Sequence, residues 1–192
     1  MARTKEFDPE VAVQAAVGVF WQQGYERASL DELMGAMGIA RQSLYDTFGD
    51  KRKLYLRALR RYRDDKLEVT KKMFAEGRPV KKCFRELLDG FAKESKEELS
   101  RGCLLLNANI ERAQGDEEVA ELLEGNQKAV EMIYREALER AQKAGELGKK
   151  KDPAALARFY VATVQGMHAM GRVVPKHKPL AAVAAIALEA LE

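Results

Sequence analysis

Cysteine and histidine are both scarce in this 192-residue chain, which holds Cys83, Cys103, His168 and His177 and no others. Two widely separated thiols exclude a disulfide-dense secreted scaffold, and the opening "MARTKEFD" lacks the apolar core of a secretory signal, so a reducing cytoplasmic setting is expected. The same shortage leaves no metal-ligand cluster. HExxH, the phosphate-cradling P-loop and GxSxG are missing too, so we expect neither an enzyme nor a bound metal or cofactor. Long hydrophobic runs are also wanting. The best, "PLAAVAAIALEALE", falls short of the ~20 apolar residues a bilayer span needs and is broken by Glu189, so no membrane segment is expected. No stretch reads as a strand, a repeat or a low-complexity tract.

What is present is an ordinary soluble composition, 46% hydrophobic and 33% charged, with length enough for one or two helical domains. The net charge is only +3, but residues 1–63 carry eleven Lys/Arg against eight Asp/Glu and account for all of it. Within them "KRKLYLRALRRYR", residues 51–63, has seven bases and no acid, a local field suited to a polyanionic partner.

Helix signals dominate. Asp8-Pro9 reads as a cap followed by proline at the first helical position, and Val13, Ala16, Val17, Phe20 and Trp21 then recur at helical spacing up to Gly24. Ser29 and Glu32 form a capping box for a short second helix with the stripe Leu30, Leu33, Met34 and Met37, ended by Gly38 in a left-handed turn. A third helix is expected over Ile39 to Phe48 and a fourth after Asp50, with Leu54, Tyr55, Ala58, Leu59 and Tyr62 on one face and bases around the rest. The break at Gly77 and Pro79 separates residues 1–50 and a connecting helix, 51–77, from a larger body, 78–192. In that body Asp116 starts a long helix, Asp152-Pro153 repeats the cap-then-proline signal, and Pro179 opens the last segment.

Helix, tight turn and helix over residues 29–48 has two readings. One is a helix-turn-helix whose second member enters the DNA major groove; the other is a helical hairpin with solvated polar residues. Leu44 and Phe48 share an inward face, which leaves Arg41, Gln42, Ser43, Tyr45 and Thr47 to point elsewhere. Arg41 and Gln42 suit guanine and adenine edges, Tyr45 and Thr47 suit phosphates or thymine methyls, and Ser43 suits either. Lys51, at the start of the fourth helix, is placed for a phosphate, whereas Arg57 to Arg63 are left unassigned.

These residues carry a resemblance. "FDPEVAVQAAVGVFWQQGYERASLDELMGAMGIARQSLYDTFGDKRKLYLRAL" resembles the DNA-binding domain of the TetR/AcrR family of bacterial transcription regulators, through an apolar helix ending in F-W-x-x-G-Y, then S-L-x-x-L, then G-I with S-L-Y-x-x-F-x-x-K. The resemblance implies an all-α protein: an N-terminal three-helix helix-turn-helix domain followed by a larger helical ligand-binding and dimerisation domain. It implies a homodimeric repressor on a double-stranded palindromic operator, released by a small-molecule effector. It places Arg41, Gln42, Ser43, Tyr45 and Thr47 on base- and phosphate-contacting positions and Lys51 on a phosphate-contacting lysine, with Ser29 among the DNA-binding candidates.

The C-terminal body resembles the family less closely. Its last two long helices, roughly 153–171 and 179–191, would pair with their twofold mates, and small residues such as Ala162, Gly166 and Ala184 would permit close approach; core within one subunit is the alternative. Effector-pocket candidates are Cys103, Asn107, Asn109, Gln165 and His168. Cys103, beside Arg101 and Gly102, could instead act as a thiol sensor of oxidants or electrophiles, but the three leucines that follow it favour plain core. A rival of another class is a helical protein-interaction module without DNA binding.

Overall fold

The computed structural model describes residues 7–91 and 93–192; the expectation drawn from "MARTKEFD" falls mostly outside them. Ten helices and no strand occur among the described residues: α1 Pro9–Arg27, α2 Leu30–Met37, α3 Arg41–Phe48, α4 Lys51–Met73, α5 Val80–Gly90, α6 Lys96–Arg101, α7 Leu104–Arg112, α8 Glu117–Lys143, α9 Pro153–Val173 and α10 His177–Glu189. None is long and apolar enough to cross a membrane.

Short polar residues set most of the starts. The side chains of Asp8, Asp50, Asp116 and Asp152 each accept a backbone N–H from the first turn of the helix that follows. Ser29 and Glu32 close a full capping box on α2. Three boundaries differ from the sequence reading. The helical run of α1 resumes after Gly24, whose φ of 81° makes a kink rather than an end. Helix α3 begins at Arg41 because Ala40 is extended, and α10 begins two residues before Pro179. Within the polar stretch "KESKEELS" α6 begins at Lys96, started by a second capping box, Ser95 with Glu98.

Two cores organise these helices. The first joins α1 to α4, through Phe20, Leu33, Leu44, Leu54, Tyr55 and Leu59, to Leu104, Leu105 and Ala108 of α7 and to Val119 and Leu122 of α8. Phe20 and Tyr55 meet edge-on at 4.8 Å inside it. The second core centres on Phe84 of α5, which stacks on Tyr160 of α9 at 3.8 Å and meets Phe74 at 4.8 Å and Tyr134 at 5.3 Å. The Tyr160 hydroxyl donates to the Ala187 carbonyl, so its buried polar tip is satisfied by α10. The buried residue Ala184 belongs to this second core, which corrects its assignment to the dimer face: it turns inward beneath α10.

Candidate nucleic-acid interface and internal cavity

Gly38 ends α2 with φ 65°, a left-handed value that glycine adopts without the steric cost of a Cβ, and the chain reverses there into α3. Leu44 and Phe48 are buried against α4, so the opposite side of α3 must face outward. Arg41, Gln42 and Tyr45 are exposed on it, and Ser43 and Thr47 are half-buried at its edges. The polar contacts of Arg41 and Gln42 are local and exposed: Arg41 donates to Asp31 at 3.0 Å and Gln42 to Asp46 at 2.8 Å. Such contacts are weak against solvent and exchangeable for others.

Two further groups flank α3. Lys51 Nζ, at the N-terminus of α4, lies 3.3 Å from the Glu26 carbonyl oxygen and 4.6 Å from the centre of the Tyr25 ring. Ser29 is exposed at the N-terminus of α2, but its hydroxyl already serves the capping box, donating to Glu32 at 2.7 Å. The basic run of residues 51–63 does not present a uniform positive face. Arg52 pairs with Asp116 and Glu118, Arg57 and Arg61 with Glu10, Arg61 also with Asp65, and Arg63 with Asp64.

Behind this head the helices line a partly open cavity of about 780 Å³, within the usual size of small-molecule sites. Four of the five pocket candidates line it: Cys103, Asn109, Gln165 and His168. Cys103 is half-buried, packs against the first core and also opens onto the cavity, with the Tyr62 hydroxyl 4.0 Å from its Sγ. Asn107 is the correction. It is buried outside the lining, its side-chain amide donates to the Arg101 carbonyl at 3.0 Å, and its oxygen accepts from Arg172, so it ties α7 to α9. His168 is pushed down to about 4 by burial, with the charge of Lys66 adding to it, and is therefore neutral near pH 7.

The sequence reading missed much of the wall: Trp21, Tyr62, Lys66, Phe91 and Glu94. Trp21 belongs to α1, so the cavity reaches the helix-turn-helix head directly, and its indole N–H donates to the Gly102 carbonyl at 2.8 Å. Nothing local to these residues distinguishes them from an apolar stripe or a solvated face.

On the outside, α9 exposes Phe159, Ala162, Gly166, Met170 and Val173 at spacings of three and four residues, which is one helix face, and Ile186 of α10 is 66% exposed. Ala162 and Gly166 thus lie where a partner could reach them.

A turn-linked helix pair whose second member shows a polar face, mounted on a larger helical body, defines a helix-turn-helix protein. Two family models match. The description "Bacterial regulatory proteins, tetR family" covers residues 12–58 and "Tetracyclin repressor-like, C-terminal domain" covers residues 81–187. The chain is 39% identical over 162 residues to the uncharacterized HTH-type transcriptional regulator YezE of Bacillus subtilis (strain 168), with 83% of each covered. It is 28% identical over 172 residues to the HTH-type transcriptional repressor ComR of Escherichia coli (strain K12), covering 88% of this chain and 82% of ComR. Among solved structures, a cysteine mutant of the TetR family regulator CifR complexed with 26-bp double-strand operator DNA matches with TM-score 0.86 and 30% identity over 100% of both chains. The chain belongs to the TetR family of bacterial transcription regulators.

Proposed function

We propose that this protein is a cytoplasmic, non-enzymatic repressor that binds a near-palindromic operator as a homodimer and leaves it when a small molecule fills the internal cavity. The observation that carries the reading is the outward face of α3, where Arg41, Gln42 and Tyr45 stand exposed over a buried Leu44 and Phe48. On this reading Arg41, Gln42 and Ser43 reach base edges, and Tyr45 and Thr47 meet thymine methyls or phosphates. Lys51 and the Ser29 end of α2 hold phosphates on either side. The repressor sense is supported by ComR and by the E. coli repressor BdcR, 33% identical over 105 residues and matched over 54% of this chain. CifR on operator DNA supports the duplex as partner.

Residues 1–50 form the reading head on this view, 51–77 the connecting helix, and 78–192 the effector and dimerisation body. The exposed apolar face of α9 supports a twofold partner, since an isologous dimer buries the same patch on both copies. Two heads related by that axis require a site with matching symmetry, which rules in a palindrome. Cys103 favours one rival for the signal, covalent modification of its thiol, because it opens onto the cavity.

The experiment is selection from a random duplex library, followed by affinity measurements across salt concentrations. A near-palindrome bound with a steep salt slope is the expected result. Equal affinity for selected and scrambled duplexes would refute sequence reading by α3.

A further inference from the structure

Formal charge within the cavity runs against that of the chain. Its wall carries Glu94, Glu98, Glu124 and Glu131 against Lys66 and Lys128, a formal −2 in a protein of +3. Two of these acids are already engaged with bases, Glu124 with Lys128 and Glu131 with Arg158. Glu98 is committed to its capping box with Ser95. Glu94 is different: half-buried on the wall, its carboxylate has no hydrogen-bond or ion-pair partner among the described residues. Burial raises its pKa above the usual carboxylate range, Glu98 adds to the rise, and Lys66 opposes it. A desolvated carboxylate of this kind is stabilised by an arriving cation.

Tyr62 and Lys66 both lie within electrostatic reach of Glu94, and around them the wall is aromatic. The rings of Trp21 and Tyr62 meet edge-on at 5.1 Å, and the Lys66 ammonium lies 5.7 Å and 5.5 Å from their centres. That is where a cation is drawn to ring faces. Lys66 is solvent-exposed on a flexible stem, so its ammonium is a displaceable occupant. Arg101 lies 4.8 Å from the Trp21 ring centre but is not part of the lining, and the neutral His168 adds no competing charge.

We infer that the cavity selects a lipophilic organic cation, an amine or quaternary ammonium with an apolar body. It seats its charge among Trp21, Tyr62 and Glu94 in place of the Lys66 ammonium. The apolar body then lies along Phe91, Leu105 and Val164. This rests on the reading of the cavity as an effector site.

Trp21 is the sole tryptophan, so its emission reports this place in the full-length protein. Three matched probes are titrated: phenylbutyl-trimethylammonium, phenylbutanol and phenylbutyrate. The cation should bind at least about tenfold tighter than the alcohol, a difference within the range of a desolvated cation–π contact. Glu94→Gln should erase that preference and leave the alcohol within about twofold. Lys66→Gln should bind the cation as well as the wild type or better, since no resident charge has to leave. Tighter binding of phenylbutyrate than of the cation, or a preference that survives Glu94→Gln, overturns the cation assignment and leaves the cavity as an effector site. If no probe shifts Trp21 emission in the wild type or in Lys66→Gln, the effector reading of the cavity falls, and the cation assignment with it.

Discussion

The carboxylate of Glu111 on α7 accepts the backbone N–H of Tyr25 at 3.0 Å across 86 positions of sequence, and it accepts the N–H of Glu26 at 2.9 Å as well. It therefore caps the kink of α1 from the larger helical body. Gly24 makes room for this: its φ is 81°, and a Cβ there would come within 2.9 Å of Glu111 Oε2. The other end of α7 follows directly on Cys103 of the cavity wall, and its Leu105 and Leu106 line that wall, so one helix of nine residues touches both the cavity and the chain that leads into α2.

Glu111→Ala should accordingly cost about 1–2 kcal/mol and expose the Tyr25 and Glu26 amides to hydrogen exchange, because two donors lose a charged acceptor. Gly24→Ala should cost more than about 1 kcal/mol, since strain in the left-handed region adds to the clash. Urea unfolding gives the energies. Unchanged protection of the two amides in Glu111→Ala would show that the cap contributes nothing.

The neighbouring pair of Arg52 and Asp116 sets an acid limit. The Asp116 side chain is 2% exposed and accepts from Arg52 Nε and Nη2, both at 2.7 Å, and these bonds hold its carboxyl down at about 2. A carboxyl with a depressed folded pKa adds stability above its unfolded value, near 4, and loses it as pH falls toward the folded one. Asp116→Asn keeps an acceptor for the α8 cap but drops the charge, so it should lower stability at pH 7 by roughly 1–3 kcal/mol. The gap from wild type should close between about pH 4 and 2. Denaturant midpoints across that window test this, and a gap independent of pH would sink it.

On α3 the prediction is a separation of two kinds of loss. Arg41→Ala and Gln42→Ala should each cost ~1–3 kcal/mol at one base position per half-site, while random duplex is bound as before. Lys51→Ala should weaken every duplex alike and reduce the salt slope by about 1. Fluorescence anisotropy on specific and scrambled duplexes measures both. Equal losses on the two duplexes for Arg41→Ala and Gln42→Ala would remove these side chains from base reading.

The caps at Asp8, Ser29, Asp50, Asp116 and Asp152 were legible because each is a local transaction between a short polar side chain and the next turn. The cavity was legible only in part. Trp21 sits on the apolar stripe of α1, and whether a stripe residue meets core or empty space is decided by helices far away in sequence. Asn107 shows the converse. A polar residue in an apolar run looks like a ligand contact, but Arg172, 65 positions on, decides what it does. The alanines of the last helices likewise do not reveal which face turns inward.

His168 gives a pH prediction of its own. It faces Phe91 edge-on at 4.8 Å, with Lys66 near enough to disfavour its charge and Glu94 and Glu98 on the same cavity wall. A histidine whose folded pKa lies at about 4, below its unfolded value near 6.5, binds more protons when unfolded. Stability should fall as pH drops from about 6.5 toward 4, and His168→Gln should flatten that slope. Thermal midpoints over the interval decide it, and parallel curves for the two proteins would contradict the assignment.

The last prediction separates the two faces of the final helices. Phe159 and Met170 are each 42% exposed and Val173 is 81% exposed, with Ala162 and Gly166 between them on α9, whereas Ala184 is buried within the subunit. Ala162→Glu should therefore leave helix content intact and convert dimer to monomer, because a charge would be trapped unpaired in the proposed interface. Operator affinity should fall with it, since each head alone reads half a site. Ala184→Glu should unfold the body instead, as the same charge would enter the core around Tyr160 and Leu180. Sedimentation velocity and circular dichroism distinguish the outcomes. A folded Ala162→Glu protein that sediments as the wild type does would place the twofold contact on another face.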